Sequence, residues 1–253
     1  MKVALIGDIH ANMPALEAVL AQIENHGVDA IWNVGDWVGY GAFPDEVVKR
    51  LWDLEAVSIR GNYDTKVLKF PKQKKKWRKK KIPQKWLAFK WAYERLSPEG
   101  REYLAGLPKE IRLAVAGKRV LITHASPETT KEHVTPETSE ARFRELAEMS
   151  RADLVIFGHS HVPFARQAGG VWFINPGSVG RPDDGDPRAS YAILQLTPGG
   201  PEVSHYRVVY DLERTVAAIR ENGLPEAFAQ MMVRGRNLDD ILAQGNSREF
   251  AER

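Results

Sequence analysis

Apolar residues along this chain fall into two rhythms, and the change between them sets the elements. Short unbroken runs at Val3–Ile6, Ala30–Val34 and Val57–Ile59 read as buried strands. Between the first two, Leu16, Val19, Leu20 and Ile23 recur at helical spacing behind Asn12, which can cap a helix opening near Pro14. Pro44 opens a second helix whose inward residues are Val47, Val48 and Leu51. Strand and helix in alternation predict βαβ units and a mostly parallel sheet.

From about Thr65 to Leu107 the strand rhythm stops. This stretch holds a basic run, then Trp86, Leu87, Phe89, Trp91 and Leu96, and a helix start at Ser97-Pro98-Glu99. It reads as a helical insertion, with Trp86 and Trp91 on its core side. Strands resume at Ile111–Val115 and Arg119–Thr123 around a turn at Ala116-Gly117-Lys118, and a helix at about Pro136–Met149 leads to the strand Leu154–Phe157. Hairpin patterns follow at Phe164–Ala168 with Val171–Ile174, and at Ala189–Leu196 with Glu202–Val208. Parallel-type order early and antiparallel order late predict two sheets packed in layers. Residues 211–253 read as a C-terminal helical extension to a domain spanning 1–210: one helix from Asp211 to a stop at Gly223, a second from Pro225, and a frayed polar end over about the last ten residues.

Composition narrows the class. The chain has 253 residues, 43% of them apolar and none of them cysteine, which excludes a disulfide framework and thiolate metal sites. No run approaches the roughly 18 apolar residues of a membrane span, and Met1–Asp8 reads as a first strand, so the expected location is cytoplasmic with no membrane partner. The net charge of +3 hides an asymmetry. Residues 66–90 carry twelve Lys or Arg and no Asp or Glu, leaving the remainder at −9.

Seven polar residues stand at the ends of apolar runs: Asp8 and His10, Asp36, Asn62, His124, His159 and His161. Loops beyond the carboxyl ends of parallel strands line the ligand crevice of α/β proteins, so these side chains are expected to converge. Asp8 and His10, two apart on an extended strand end, project the same way and can share one ion. Asp and His together suit Mn, Fe, Zn or Ni better than Ca or Mg.

Asp8-Ile9-His10, Gly35-Asp36, Gly61-Asn62-Tyr63-Asp64, Thr123-His124 and Gly158-His159-Ser160-His161 resemble, in order, the five motifs of calcineurin-like metallophosphoesterases. Asn175-Pro176-Gly177-Ser178 resembles a mark of their small prokaryotic phosphodiesterase-like branch. The resemblance implies a four-layer α/β/β/α sandwich of two mixed sheets with the site at one sheet edge. It further implies two divalent transition-metal ions, manganese first, with iron, zinc or nickel as alternatives. One ion would take Asp8, His10, Asp36 and His161. The other would take Asp36, Asn62, His124 and His159, with Asp36 bridging. The implied activity is hydrolysis of phosphodiesters or nucleotides by in-line attack of a metal-bridging hydroxide.

Two departures matter. Strongly catalytic members carry His after Gly-Asn, and Tyr63 stands there; it either donates a proton or packs beside the site, with Asp64 orienting it or capping a helix. Protein phosphatases have Asp-Arg where this chain has Gly39-Tyr40, which argues against phosphoprotein as substrate. Arg60 and Arg181 are candidate replacements for that Arg. Asn12, Arg60 and Trp77 are the expected substrate contacts, Trp77 because it sits inside the basic run, where it could stack bases over a cationic track. That run is either a solvated loop or a device steering polyanions, nucleic acid among them. A dinucleoside polyphosphate hydrolase and a non-catalytic scaffold of the same fold are the competing readings. The scaffold fits less well, because a buried Asp and His cluster is costly without a cation.

Overall fold

The computed structural model describes residues 1–197 and 199–251, with side chains to residue 244. The first half runs β1 (Lys2–Ile6), α1 (Met13–Glu24), β2 (Ala30–Asn33), α2 (Pro44–Asp53), β3 (Val57–Ser58), α3 (Asn62–Lys80), α4 (Pro83–Arg95) and α5 (Pro98–Gly106). The second sheet begins with β4 (Glu110–Val115) and β5 (Lys118–Thr123), then α6 (Glu140–Ser150), β6 (Leu154–Ile156), β7 (Phe164–Ala168) and β8 (Val171–Asn175). A hairpin of β9 (Ala189–Thr197) and β10 (Gly200–Val208) precedes α7 (Leu212–Glu221), α8 (Glu226–Arg234) and α9 (Leu238–Ala251).

The strands form two five-stranded sheets, ordered β10-β9-β1-β2-β3 and β4-β5-β6-β8-β7. Both are mixed. β1, β2 and β3 pair in parallel, while β9 joins β1 antiparallel, with Val3 opposite Leu194. The late hairpins therefore do not build a sheet of their own: β7 and β8 extend the second sheet and β9 and β10 extend the first.

Strand periodicity explains the layers. In β1, Val3 and Leu5 face the second sheet with Trp32, Ile122, Ile156 and Leu194, whereas Ala4 and Ile6 face the helices with Leu16, Val19 and Val47. On the far side, Val155 and Phe173 pack against Phe143 and Leu146 of α6. The result is an α/β/β/α sandwich.

Local chemistry moves several boundaries. α3 starts at Asn62, inside the third motif, because Asp64 accepts the Gly61 amide at 2.8 Å and ends the extended backbone there. α6 starts four residues later than expected: Thr135 and Thr138 close a turn on each other, and Ser139 caps the helix through the Arg142 amide. Asp211 caps α7, and α7 and α8 bury Ile219, Phe228, Met231 and Met232 against Tyr40 and Ala88. The polar end over the last ten residues, expected to be frayed, instead continues as helix to Ala251, where α9 ends. Among the described residues, no helix is long and apolar enough to cross a membrane.

Candidate active site and metal centre

The loops after β1, β2, β3, β5 and β6 carry the seven candidate ligands, and backbone hydrogen bonds fasten these loops together. The Asp8 amide donates to the Gly35 carbonyl at 2.9 Å, His10 to Asp36 at 3.0 Å, Gly158 to His124 at 2.9 Å, and Gly180 to Asp8 at 3.1 Å. The last of these, with the His159 amide donating to Asp8 Oδ2 at 2.9 Å, joins the two sheets at one edge. Gly61 is required by this closeness, since a Cβ there would lie 2.1 Å from Asp36 Oδ1. Five ligand residues (Asp8, His10, Asp36, His159 and His161) hold left-handed φ angles between 49° and 70°. Such a backbone costs roughly 1–2 kcal/mol per non-glycine residue, and strain of this kind gathers where chemistry needs a fixed side-chain direction.

The side chains meet without satisfying one another. His161 Nε2 lies 3.3 Å from both Asp8 Oδ1 and His10 Nε2. His124 Nε2 lies 3.4 Å from Asp36 Oδ2, and His10 Nε2 lies 3.8 Å from the same oxygen. The Nδ1 protons of His161 and His124 go to the carbonyls of Arg181 and Val34, at 2.6 and 2.8 Å. In the neutral rings each Nε2 is then an acceptor facing a carboxylate, Asp8 for His161 and Asp36 for His124, an arrangement that a shared cation or a proton on the ring relieves. Among the described residues, Asp8 Oδ1 and His124 Nε2 are buried with no hydrogen-bond partner.

Among the described residues, two groups have ligand atoms within 4.8 Å of one another: Asp8, His10 and His161, and Asp8, Asp36 and His124. Asp8 thus belongs to both. Asn62 and His159 adjoin the second group, with Asn62 Nδ2 2.7 Å from His159 Nδ1 and the His124 and His159 rings 5.2 Å apart.

Protonation suits ligation at Asp8, Asp36, His10 and His159, whereas against the penalty of burial the Asp36 and Asp8 carboxylates raise His124 to about 9, so a cation there would take the place of its proton. Against the penalty of burial, His161 holds the Asp8 carboxyl below its ordinary value, and His124, His10 and the Tyr63 amide hold Asp36 well below. Burial pushes the His10 imidazole well down and His159 down to about 3. Ionised carboxylates and neutral imidazoles are the forms that bind metal. The donor set fits borderline divalent ions.

Residues 1–199 match the calcineurin-like phosphoesterase superfamily domain. The chain belongs to that superfamily. Across 251 aligned residues it is 35% identical to an uncharacterised protein of Methanocaldococcus jannaschii, covering 92% of this chain and 98% of that protein. Across 209 residues it is 27% identical to phosphodiesterase YfcE of Escherichia coli, covering 77% and 87%. The crystal structure of a metallophosphoesterase from Sphaerobacter thermophilus superposes with a TM-score of 0.76 at 32% identity, covering 93% of this chain and 99% of that one. These likenesses make the chain a phosphoesterase-superfamily hydrolase.

Beside the ligands of this phosphoesterase lies a cavity of about 380 Å³, lined in part by Tyr63, Lys66, His133 and Arg181. Tyr63 and Tyr40 share a 2.7 Å hydrogen bond, and Phe228 of α8 packs edge-on to Tyr40 at 5.1 Å. Burial, then Tyr40, pushes the Tyr63 hydroxyl well above its ordinary value, so it keeps its proton. Arg181 is buried, with its guanidinium 5.0 Å over the Tyr40 ring. Lys66 Nζ donates to Asn62 Oδ1 at 2.8 Å, and burial lowers it to about 8.

The other expected site residues sit elsewhere. Asp64 is fully buried and accepts four backbone amides: Asp36, Trp37, Val38 and Gly61. Asn12 caps α1, and its amide also meets the Gly180 carbonyl and the Thr215 hydroxyl. Arg60 donates to the Ala105 carbonyl and does not line the cavity. Trp77 turns inward onto Phe89 at 5.4 Å, because it falls on the apolar stripe of α3 with Val67 and Phe70. The sequence reading missed Lys66 and His133. Lys66 is one helical turn after Asn62, a spacing that is legible once α3 is known to start there. The His133 ring lies 4.4 Å from that of His159, in a loop that carries no periodic signal.

Proposed function

We propose that this chain is a binuclear metal-dependent phosphodiesterase acting on small phosphodiesters or nucleotides. Asp8, His10, Asp36 and His161 would hold one ion, and Asp36, Asn62, His124 and His159 the other, with Asp8 close to both. The reading rests on one observation above all: five strand-end loops deliver buried carboxylates and imidazoles whose ligand atoms lie 3.3–3.8 Å apart and leave Asp8 Oδ1 and His124 Nε2 without hydrogen-bond partners. When bound, such ions supply Lewis acidity and a water of lowered pKa.

The chain's own residues divide the remaining work. Arg181, with its Nε unpartnered, and Lys66 face the cavity and hold the non-bridging phosphoryl oxygens. Tyr63 is fixed against Tyr40 and keeps its proton, so it donates a hydrogen bond and transfers the proton poorly. A leaving group must then depart as a stable anion, which favours aryl and nucleotide esters. Asp64 anchors the second and third motifs to each other, and this holds Asp36 in place. The complete ligand set speaks against a scaffold that has lost its metals.

Metal analysis of the purified chain, with turnover of bis(p-nitrophenyl) phosphate in manganese, tests the proposal. Asp36→Asn is expected to lose one bound ion or both and nearly all turnover. A wild-type chain that neither binds divalent ions nor cleaves any diester would overturn it.

A further inference from the structure

The wall of the cavity draws on three distant parts of the chain. Lys66 and Lys85 come from the helical insertion, Arg181 and Asp183 from the loop after β8, and Asp239 and Asp240 from the first turn of α9. We propose that Asp239 and Asp240 make this site selective for singly charged diesters over polyanions, which gives the C-terminal extension a role in substrate choice. The proposal rests on the phosphodiesterase reading above.

Charge balance carries it. Three cationic side chains face three carboxylates, so the wall adds no net positive charge to the ligand cluster. Lys85 is already taken up, donating to both Asp239 oxygens at 2.8 Å. Arg181 donates to Asp183 Oδ2 at 3.3 Å, yet Arg181 Nε and Asp183 Oδ1 have no partner among the described residues, although Arg181 is only 8% exposed. Arg181 lines the cavity with hydrogen-bonding capacity left for one anionic oxygen. A diester carries a single negative charge and is served by that capacity. Further phosphates would extend along the wall and meet Asp239 and Asp240.

The acidic edge is held in place. Asn237 accepts the Asp240 amide at 3.0 Å and donates to Asp240 Oδ2 at 3.0 Å. Gly235 turns the chain between α8 and α9 at φ +56°, and its carbonyl accepts the Gly185 amide at 2.8 Å. A Cβ at Gly235 would come within 2.9 Å of the Asp186 backbone, so the extension lies tightly against the loop that carries Arg181 and Asp183.

The test compares two ligands that share base and sugar, bound calorimetrically to the manganese-loaded full chain. Cyclic AMP carries one charge, and adenosine 3′,5′-bisphosphate carries about three to four. Asp239→Asn/Asp240→Asn is expected to shift relative affinity towards the bisphosphate by about tenfold at low salt, and by much less at 0.5 M, where the Debye length shortens. Asp240→Asn alone is expected to give about a threefold shift, and it decides the matter if the double variant fails to fold. Asp53→Asn/Glu221→Gln removes two exposed charges outside this cavity and controls for net charge. A ratio that stays within twofold of wild type, or that moves equally in the control, overturns the proposal. Failure of the wild type to cleave any diester would instead strike the phosphodiesterase reading, and the binding ratio would still judge the acidic edge.

Discussion

Replacing Asp64 with alanine separates an anchor from a catalyst. Its two carboxylate oxygens accept the amides of Trp37 (2.9 Å) and Val38 (3.2 Å), and of Gly61 (2.8 Å) and Asp36 (3.1 Å). All of these lie in a region closed to solvent, so truncation leaves up to four donors without partners. A buried donor stripped of its acceptor costs about 1–3 kcal/mol. The low end applies, because the substitution also relieves the burial of a carboxyl that desolvation and the charge on Asp36 push up to about 7. Four donors at the low end give about 4 kcal/mol, a large part of the 5–15 kcal/mol that holds a typical domain together.

For a chain of this size each kcal/mol moves the melting point by about 2–4 °C, so the expected fall is roughly 8–16 °C. Asp64→Asn keeps one acceptor oxygen and turns an NH2 towards two donors, and should fall between wild type and alanine. Thermal and urea unfolding in EDTA isolate the effect from metal binding. An alanine variant that melts within about 2 °C of wild type, yet loses turnover a hundredfold when reloaded with manganese, would refute the anchor and return Asp64 to the chemistry.

Manganese at a hundred times its dissociation constant should stabilise the chain by about 2.7 kcal/mol, which EDTA removes and Asp36→Asn largely abolishes in differential scanning fluorimetry. Asp45 ties α2 to the start of α5, accepting the Ser97 amide at 2.8 Å and hydroxyl at 2.7 Å, and against burial these bonds with Lys49 hold its carboxyl below the usual range. A depressed pKa contributes stability that is present above the unfolded value of 3.8 and lost as pH falls through the folded one, so Asp45→Asn should melt below wild type at pH 6, and the gap should close below about pH 4. Changing Lys74, Lys75, Lys76, Lys79 and Lys80 to glutamine should leave kcat/KM for bis(p-nitrophenyl) phosphate within about twofold at every salt concentration, since none of them lines the cavity; a fall that salt reverses would show that α3 steers substrate.

The sandwich was readable because strand rhythm is local. Val3, Leu5, Ala4 and Ile6 alternate between two apolar environments, and a run buried on both faces looks the same whichever sheet receives it. That sameness hid the pairing of β9 with β1, a choice made across more than 180 residues. Trp77 misled for a related reason. Surrounded by lysines in sequence it looks solvated, but its spacing from Phe70 returns it to the stripe that faces Phe89. A helix separates neighbours in sequence onto opposite faces, so a charged run says little about the one apolar residue inside it.

The candidate site divides along the same line. Asp8, His10, Asp36, His124, His159 and His161 each follow a strand; parallel register carries them to one edge of each sheet, and the packing of the two sheets brings those edges together. The cavity wall has no such rule. Lys85 and Asp239 are 154 residues apart and meet because α4 and α9 pack on a common apolar cluster around Ala88, Phe228 and Leu238, so their charges enter the site through helix packing. Substitutions in that cluster should therefore change which anions the site accepts before they change how its carboxylates and imidazoles are arranged. A Phe228 variant that altered the ligand geometry while leaving anion preference untouched would show that the two layers of the site are not separable in this way.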